Sequence, residues 1–313
     1  MTFSDNAKAV IALTTRLGDG QRPSLSPTRW HRLATVLDDA GLSAASVFDT
    51  DVESIPGVPD DLADAVVELL GDASVTTVAA TDLERQGIWT LTIVDSAYPT
   101  SLQQLLDKNA PPVIFGVGDP SLLDAQGVGI VGSRNVSEDG ARIAQDLAKA
   151  AASLGRSVVS GGARGVDQLA MNSAYQADGG VVGVLADSLE MRIRKPDVLA
   201  ALDGGQTCLL TQQAPSSGFS PAAAMSRNKL IYTLSAATIV VAADEDTGGT
   251  WAGATEALKK SLGTVVVWRG DGEGPGNRSL EGLGATPITN AAALSDLLET
   301  KPEPTPEQLA LTD

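Results

Sequence analysis

The chain has 313 residues, 43% of them hydrophobic and 19% charged, with a mean hydropathy of +0.05 and a formal net charge of −17. That length suits two domains with a buried core; no run approaches the ~18 apolar residues that span a bilayer, and the first residues lack a basic start followed by an apolar stretch, so a cytoplasmic protein with no membrane contact is expected. One cysteine (Cys208) excludes an internal disulfide and a cysteine metal cluster, and one histidine (His31) excludes a histidine triad or a multi-histidine metal site.

The negative charge argues against coating nucleic acid through bulk electrostatics. It is unevenly placed, however. Residues 127–230 hold 10 Lys and Arg against 9 Asp and Glu, leaving 12 against 30 elsewhere. An anion site therefore belongs in the central part, while the acidic flanks serve solubility or meet a basic partner.

Residues 1–75 read as a small helical domain. Pro27-Thr28-Arg29-Trp30 opens a helix bearing Leu33, Val36 and Leu37, and Pro59-Asp60-Asp61 opens one bearing Leu62, Val66, Leu69 and Leu70. Ile55-Pro56-Gly57-Val58-Pro59 is similar to the turn of a helix-hairpin-helix DNA-binding motif, with Pro59 in place of its second glycine; helix packing is the main expectation there.

Residues 76–292 change grammar. Short β-branched runs at 91–94, 113–116, 128–131, 157–160, 181–185, 238–242 and 264–268 alternate with helical patterns at 142–154, 167–176 and 250–262. Alternation of this kind predicts an α/β fold with a mostly parallel, Rossmann-like sheet and helices on both faces, its ligands at the carboxyl ends of the strands. Cys208, within Thr207-Cys208-Leu209-Leu210, reads as a buried core residue. Residues 293–313, with Pro302, Pro304 and Pro306 among acids, read as a loosely attached tail.

The candidate site lies in the turns after the strands. Gly127-Val128-Gly129-Ile130-Val131-Gly132 fits the dinucleotide pattern literally, but its first glycines fall in the strand and no acid follows about 20 positions later, so no nicotinamide cofactor, and no other, is expected. Gly132, Ser133 and Arg134 should stand in the first turn. Ser160, Gly161, Gly162, Ala163, Arg164 and Gly165 form a second, glycine-rich turn whose amides and arginine suit a phosphate; the bland alternative pairs Arg164 with Asp167. Arg192, Arg194 and Lys195 follow another strand, Arg227 and Asn228 with Lys229 sit on a helix, and Thr247-Gly248-Gly249-Thr250 precedes a further one.

In order and spacing over residues 88–270, these segments resemble the DprA/Smf family of DNA-processing proteins. Gly129–Arg134 looks like that family's first strand and turn, Val158–Asp167 like its central signature, and Ser226-Arg227-Asn228-Lys229 like its arginine-asparagine helix; Asp95–Pro99 and Ala110–Phe115 match the lead-in. The resemblance implies a non-enzymatic homodimer that holds single-stranded DNA and helps load a RecA-type recombinase in transformation or recombination, with Arg134, Arg164, Lys195, Arg227 and Lys229 on phosphates. Two departures stand out: Ala170-Met171 replaces an alanine-histidine, and Ile193-Arg194 replaces the tyrosine-proline before Lys195. Two alternatives remain open. Thr247-Gly248-Gly249-Thr250 with Glu256 is also similar to the signature of lysine-decarboxylase-like phosphoribohydrolases, which would make Glu256 catalytic in a nucleotide-handling protein, and the acidic flanks suit a DprA-like antitoxin or regulator in a phage-defence pair.

Overall fold

The valine-rich runs assemble into one sheet in the computed structural model, which describes residues 3–18, 23–124 and 126–299. In chain order the elements are α1 (Asp5–Thr14), α2 (Pro27–Asp39), α3 (Asp60–Leu70), α4 (Ala73–Arg85), β1 (Trp89–Thr92), α5 (Thr100–Leu106), β2 (Val113–Gly118), β3 (Gly127–Val131), α6 (Glu138–Ser153), β4 (Val158–Ser160), α7 (Val166–Gln176), β5 (Val181–Val184), α8 (Leu189–Arg192), α9 (Pro196–Asp203), β6 (Thr207–Thr211), α10 (Pro221–Thr233), β7 (Ser235–Val240), α11 (Gly248–Lys260), β8 (Thr264–Trp268), α12 (Asn277–Gly282), β9 (Thr286–Ile288) and α13 (Ala293–Glu299).

Among the described residues the sheet runs β1-β2-β6-β5-β4-β3-β7-β8-β9. The seven strands from β6 to β9 pair in parallel, whereas β2 is antiparallel to β6 and β1 to β2. Strand alternation sorts the core onto two faces. Ile114, Val131, Cys208, Leu210 and Val240 pack under α5, α10, α11 and α12, and Val128, Ile130, Val158, Ile239 and Val266 pack under α6, α7 and α13.

The remaining part of that second face, over β2 and β6, is covered by the N-terminal helices. Leu13, Leu33, Leu62 and Val66 form one continuous cluster with Val113, Phe115, Val117 and Leu209. The helices of residues 1–75 therefore close no core separate from the sheet, and α4 runs straight through the expected boundary at residue 75. Serine caps and prolines start these helices as the sequence suggests: Ser26 Oγ accepts from the Arg29 amide with Pro27 in the first turn, and Ser220 does the same for α10 ahead of Pro221.

At the other end, α13 buries Leu294 completely against the β7 side of the core. Residues 293–299, assigned to a loose tail from their composition, thus belong to the packed fold; an apolar side chain every third or fourth position outweighed the neighbouring prolines and acids. The remainder of that tail lies outside the described residues. No described helix is long and apolar enough to cross a membrane.

The chain leaves β3 toward β4 on one side and later returns to β7 on the other. That reversal leaves a crevice at the carboxyl ends of β3 and β7, the place where open α/β sheets bind ligands.

Candidate nucleic-acid interface

Two backbone turns meet at this crevice. The turn after β3 carries Gly132, Ser133 and Arg134, and the turn after β4 carries residues 161–165. They touch at backbone distance: the Val166 amide donates to Ser133 O at 3.3 Å, and a Cβ on Gly165 would come within 2.8 Å of the Arg134 Cα. Gly165 (φ +89°) and Gly162 (φ +63°) also adopt left-handed backbone that disfavours any other residue.

Beneath both turns lies Asp167, in the first turn of α7 and almost fully buried. Its carboxylate accepts from the Ala163 amide at 3.4 Å, and the nearby amides of Gly132 and Gly161 also favour its charged form. These are the N–H groups that the glycine-rich pattern assigns to a phosphate. Asp167 occupies them as an internal anion.

Its charge partner is Arg227 and not Arg164, so the alternative pairing of Arg164 with Asp167 is not made. Arg227 Nη1 stands 3.8 Å from Asp167 Oδ2 and donates to Val184 O at 3.4 Å, while its buried Nε finds no acceptor. Burial raises the Asp167 carboxyl to about 6, with Arg227 and the three amides pulling the other way. Burial likewise lowers Arg227, which Asp167 and Asp187 oppose and the neighbouring charges of Arg134 and Arg192 reinforce.

That freed cationic reach belongs to the rim. Arg134 and Arg164 are exposed, and neither has a carboxylate partner among the described residues; Arg164 donates instead to Asn135 Oδ1 at 2.8 Å. Two adjoining cavities of about 390 Å³ each share Arg134, Ala163 and Arg227 as walls. The first continues over Asn228 and the start of α11; the second runs past Arg164 to Arg192 and Phe219. Phe219 is 58% exposed, an unusual position for a phenyl ring in a chain so poor in aromatics. Arg192 is a weaker donor than it looks, since Asp187 holds it at 2.9 Å.

The start of α11 opens on the first cavity. Thr247 makes no side-chain cap, a Cβ at Gly248 or Gly249 would meet nothing within 4 Å, and this first turn lines the cavity beside Asp244. Asn228 anchors this turn by donating to Gly249 O at 3.1 Å. Thr250 lines the same cavity. Glu256 does not. It points to the other side of α11, where Lys260 Nζ lies at 2.6 Å and Lys229 Nζ at 3.4 Å, and these cations hold its carboxyl below the ordinary value despite partial burial. Glu256→Ala should therefore cost no more than about 1 kcal/mol in a thermal melt and leave ligand binding at the rim unchanged.

The sequence model of the family DNA recombination-mediator protein A matches residues 89–299, two thirds of the chain. The chain belongs to this family. The DNA processing protein DprA of Bacillus subtilis is 32% identical over 165 residues, covering 52% of this chain and 55% of that protein, and the protein Smf of Synechocystis is 30% identical over 168 residues, covering 50% and 40%. The chain thus matches only about half the length of its curated relatives. Among solved structures, DNA processing protein A of Streptococcus pneumoniae superposes with a TM-score of 0.72 at 20% identity, covering 95% of this chain and 99% of that one. DNA processing protein A of Helicobacter pylori, whose single-stranded DNA binding mode that structure describes, gives 0.55 at 24%, covering 67% and 95%.

Several residues read from the sequence as family site residues fall elsewhere in this member. Ser160 is fully buried and donates to Ile130 O at 2.6 Å, so it ties β4 to β3. Lys195 is exposed at the start of α9 and lines neither cavity. Lys229 faces Glu256, away from the crevice. Met171, at the histidine position, packs into the apolar space beneath Gly162 and Gly183, where a thioether fits and a charged imidazole would be desolvated. The sequence offered no signal for Asn135, because its contact with Arg164 joins residues 29 apart that only the fold brings together.

Proposed function

We propose that the rim over β3, β4, β5 and β7 holds single-stranded DNA. The observation that carries this reading is the pair Arg134 and Arg164, two exposed guanidinium groups that form no ion pair among the described residues, in a chain of net charge −17. The open start of α11 supplies amides for a further phosphate, and Phe219 supplies a face on which an unpaired base can stack. Duplex DNA hides those base faces; a single strand presents them. The likeness in fold to the Helicobacter pylori protein and the family membership support the same ligand.

From the family resemblance we extend the reading to a homodimer that protects incoming single strands in the cytoplasm and helps load a RecA-type recombinase. No catalytic step is part of it, because Glu256, the candidate acid of a phosphoribohydrolase, is turned away from the crevice and held by two lysines.

Fluorescence-anisotropy titration of labelled oligo-dT at low and moderate salt tests the DNA reading. Tight binding that weakens steeply with salt, resists competition by thymidine monophosphate and falls about tenfold in Phe219→Ala is the expected result. Binding of the mononucleotide as tightly as the strand would favour a nucleotide sensor instead.

A further inference from the structure

A third cavity lies on the same rim, beyond the two already described. It has a volume of about 370 Å³ and sits over the carboxyl end of β6 and the adjacent start of β2, roofed by the end of α1 and the start of α2. Its floor is apolar, with Leu25, Pro112 and Phe115, and its polar lining combines Arg16, Gln212 and Gln213 with hydroxyls such as those of Thr15 and Ser217. Among the described residues no acid lines it.

Two amide side chains meet there without partners. Gln212 Nε2 is buried and makes no hydrogen bond, and the Gln213 side chain makes none among the described residues, its backbone N–H alone being held by Thr211 Oγ1. A buried donor left unmade costs about 1–3 kcal/mol, which an acceptor entering the seam would relieve. Each glutamine carries both a donor and an acceptor, the pattern that reads the edge of a nucleobase. Arg16, exposed at the mouth, has no acidic partner among the described residues and suits the phosphate attached to such a base.

Placement supplies the rest. The first cavity lies over β3 and β7, the second over β4 and β5, and this one over β6 and β2. Successive cavities are therefore two strand spacings apart, or ~10 Å. The short segment from Ala214 to Phe219 links the last two, placing Ser217 on one and Phe219 on the other.

Resting on the single-stranded DNA reading above, we infer that this seam between the N-terminal helices and the sheet is a further nucleotide subsite, in which Gln212 and Gln213 bind the edge of an unstacked base and Arg16 its phosphate. The N-terminal helices are then part of the DNA-binding surface through the end of α1 and Arg16 just beyond it.

The test compares oligo-dT strands of graded length on three proteins: wild type, Gln212→Met, and the double variant Arg16→Ala/Gln213→Ala. Gln212→Met keeps the side-chain length and removes an unsatisfied donor, so its thermal melt should match or exceed that of the wild type. Strands too short to reach the seam should bind all three alike. Strands long enough should bind both variants about tenfold more weakly. In the wild type, 4-thiothymidine walked along a long strand should crosslink to the peptide containing Gln212 and Gln213 from one position only, displaced from the position that crosslinks to the Arg164 turn. Variants that match the wild type at every length, with no crosslink to that peptide, would overturn this subsite and leave the Arg134–Arg164 clamp standing. Absence of binding by the wild type at any length would remove both.

Discussion

Gly161→Ala is expected to lower folding stability by about 3–5 kcal/mol at about pH 8, measured as a fall in the urea midpoint at unchanged slope. A Cβ at this position would fall within the van der Waals envelope of Arg227 Nη1 and close to its Cζ and Nη2. Arg227 is only 7% exposed, with Val184 O in hydrogen-bonding distance and Asp167 on its flank, and the space open to it is that of the two cavities it lines, away from Asp167. The guanidinium must therefore leave, and Asp167 stays behind as a buried charge without its partner.

The loss should depend on pH in a direction set by Asp167. Because burial raises its folded pKa to about 6, the folded protein holds a proton there that the unfolded chain has already released. The stability this group contributes is therefore complete below the ordinary carboxylate range and is lost as pH rises through about 6. Displacing Arg227 removes the main attraction that keeps the folded pKa from rising further. In Gly161→Ala the decline continues to higher pH than in the wild type, so the gap between the two proteins should widen from about pH 5 to about pH 8. A gap independent of pH would mean that the guanidinium still reaches Asp167.

The same geometry shows which parts of the site could be read in the sequence. Strands such as Val128–Val131 and Val181–Val184 were legible because both faces of a central parallel strand are buried and the run is continuously apolar. β6 was visible only as an apolar run around Cys208, and the antiparallel pairing of β1 and β2 left no trace, since pairing direction is a property of the fold and not of any one segment. The glycine-rich turn after β4 was located correctly in the chain, but its glycines serve packing: Gly161 makes room for Arg227, and Gly165 lets the two turns touch. A phosphate-like demand for amides was indeed written there. Asp167, six residues after Gly161, meets it from within.

The internal anion changes how the rim would hold DNA. With three loop amides committed to Asp167 and Arg227 committed to the same carboxylate, phosphate contact falls to groups that the fold leaves unspent: Arg134, Arg164 and the start of α11. Lys195 and Lys229, which the sequence places near the same motifs, contribute to neither cavity beside these groups. A chain so acidic overall can thus keep a local anion site, because short-range contacts outweigh a diffuse charge that salt screens over roughly 8 Å at physiological ionic strength.

Arg134→Ala/Arg164→Ala should weaken oligo-dT binding on the order of a hundredfold at low salt, because two charge-assisted hydrogen bonds to phosphate disappear together. Each phosphate contact on a single strand contributes about 0.7 to the slope of log K against log salt, so that slope should flatten by about 1.4. Stability should remain within about 0.5 kcal/mol of the wild type, because both side chains are exposed and, among the described residues, the side-chain hydrogen bond removed is the one from Arg164 to Asn135. This separation of binding from folding is what Arg227 cannot provide: removing it would strip Asp167 of its partner and confound the two. Arg85→Ala/Lys149→Ala serves as the control, since it removes the same charge from α4 and α6, where each side chain lies within one helical turn of an aspartate on the same helix. If the control weakened binding as much as the rim variant, net charge would be steering the strand and the clamp would be wrong. If only the rim variant did so, and the salt slope flattened with it, the two arginines would be the ones that hold the phosphates.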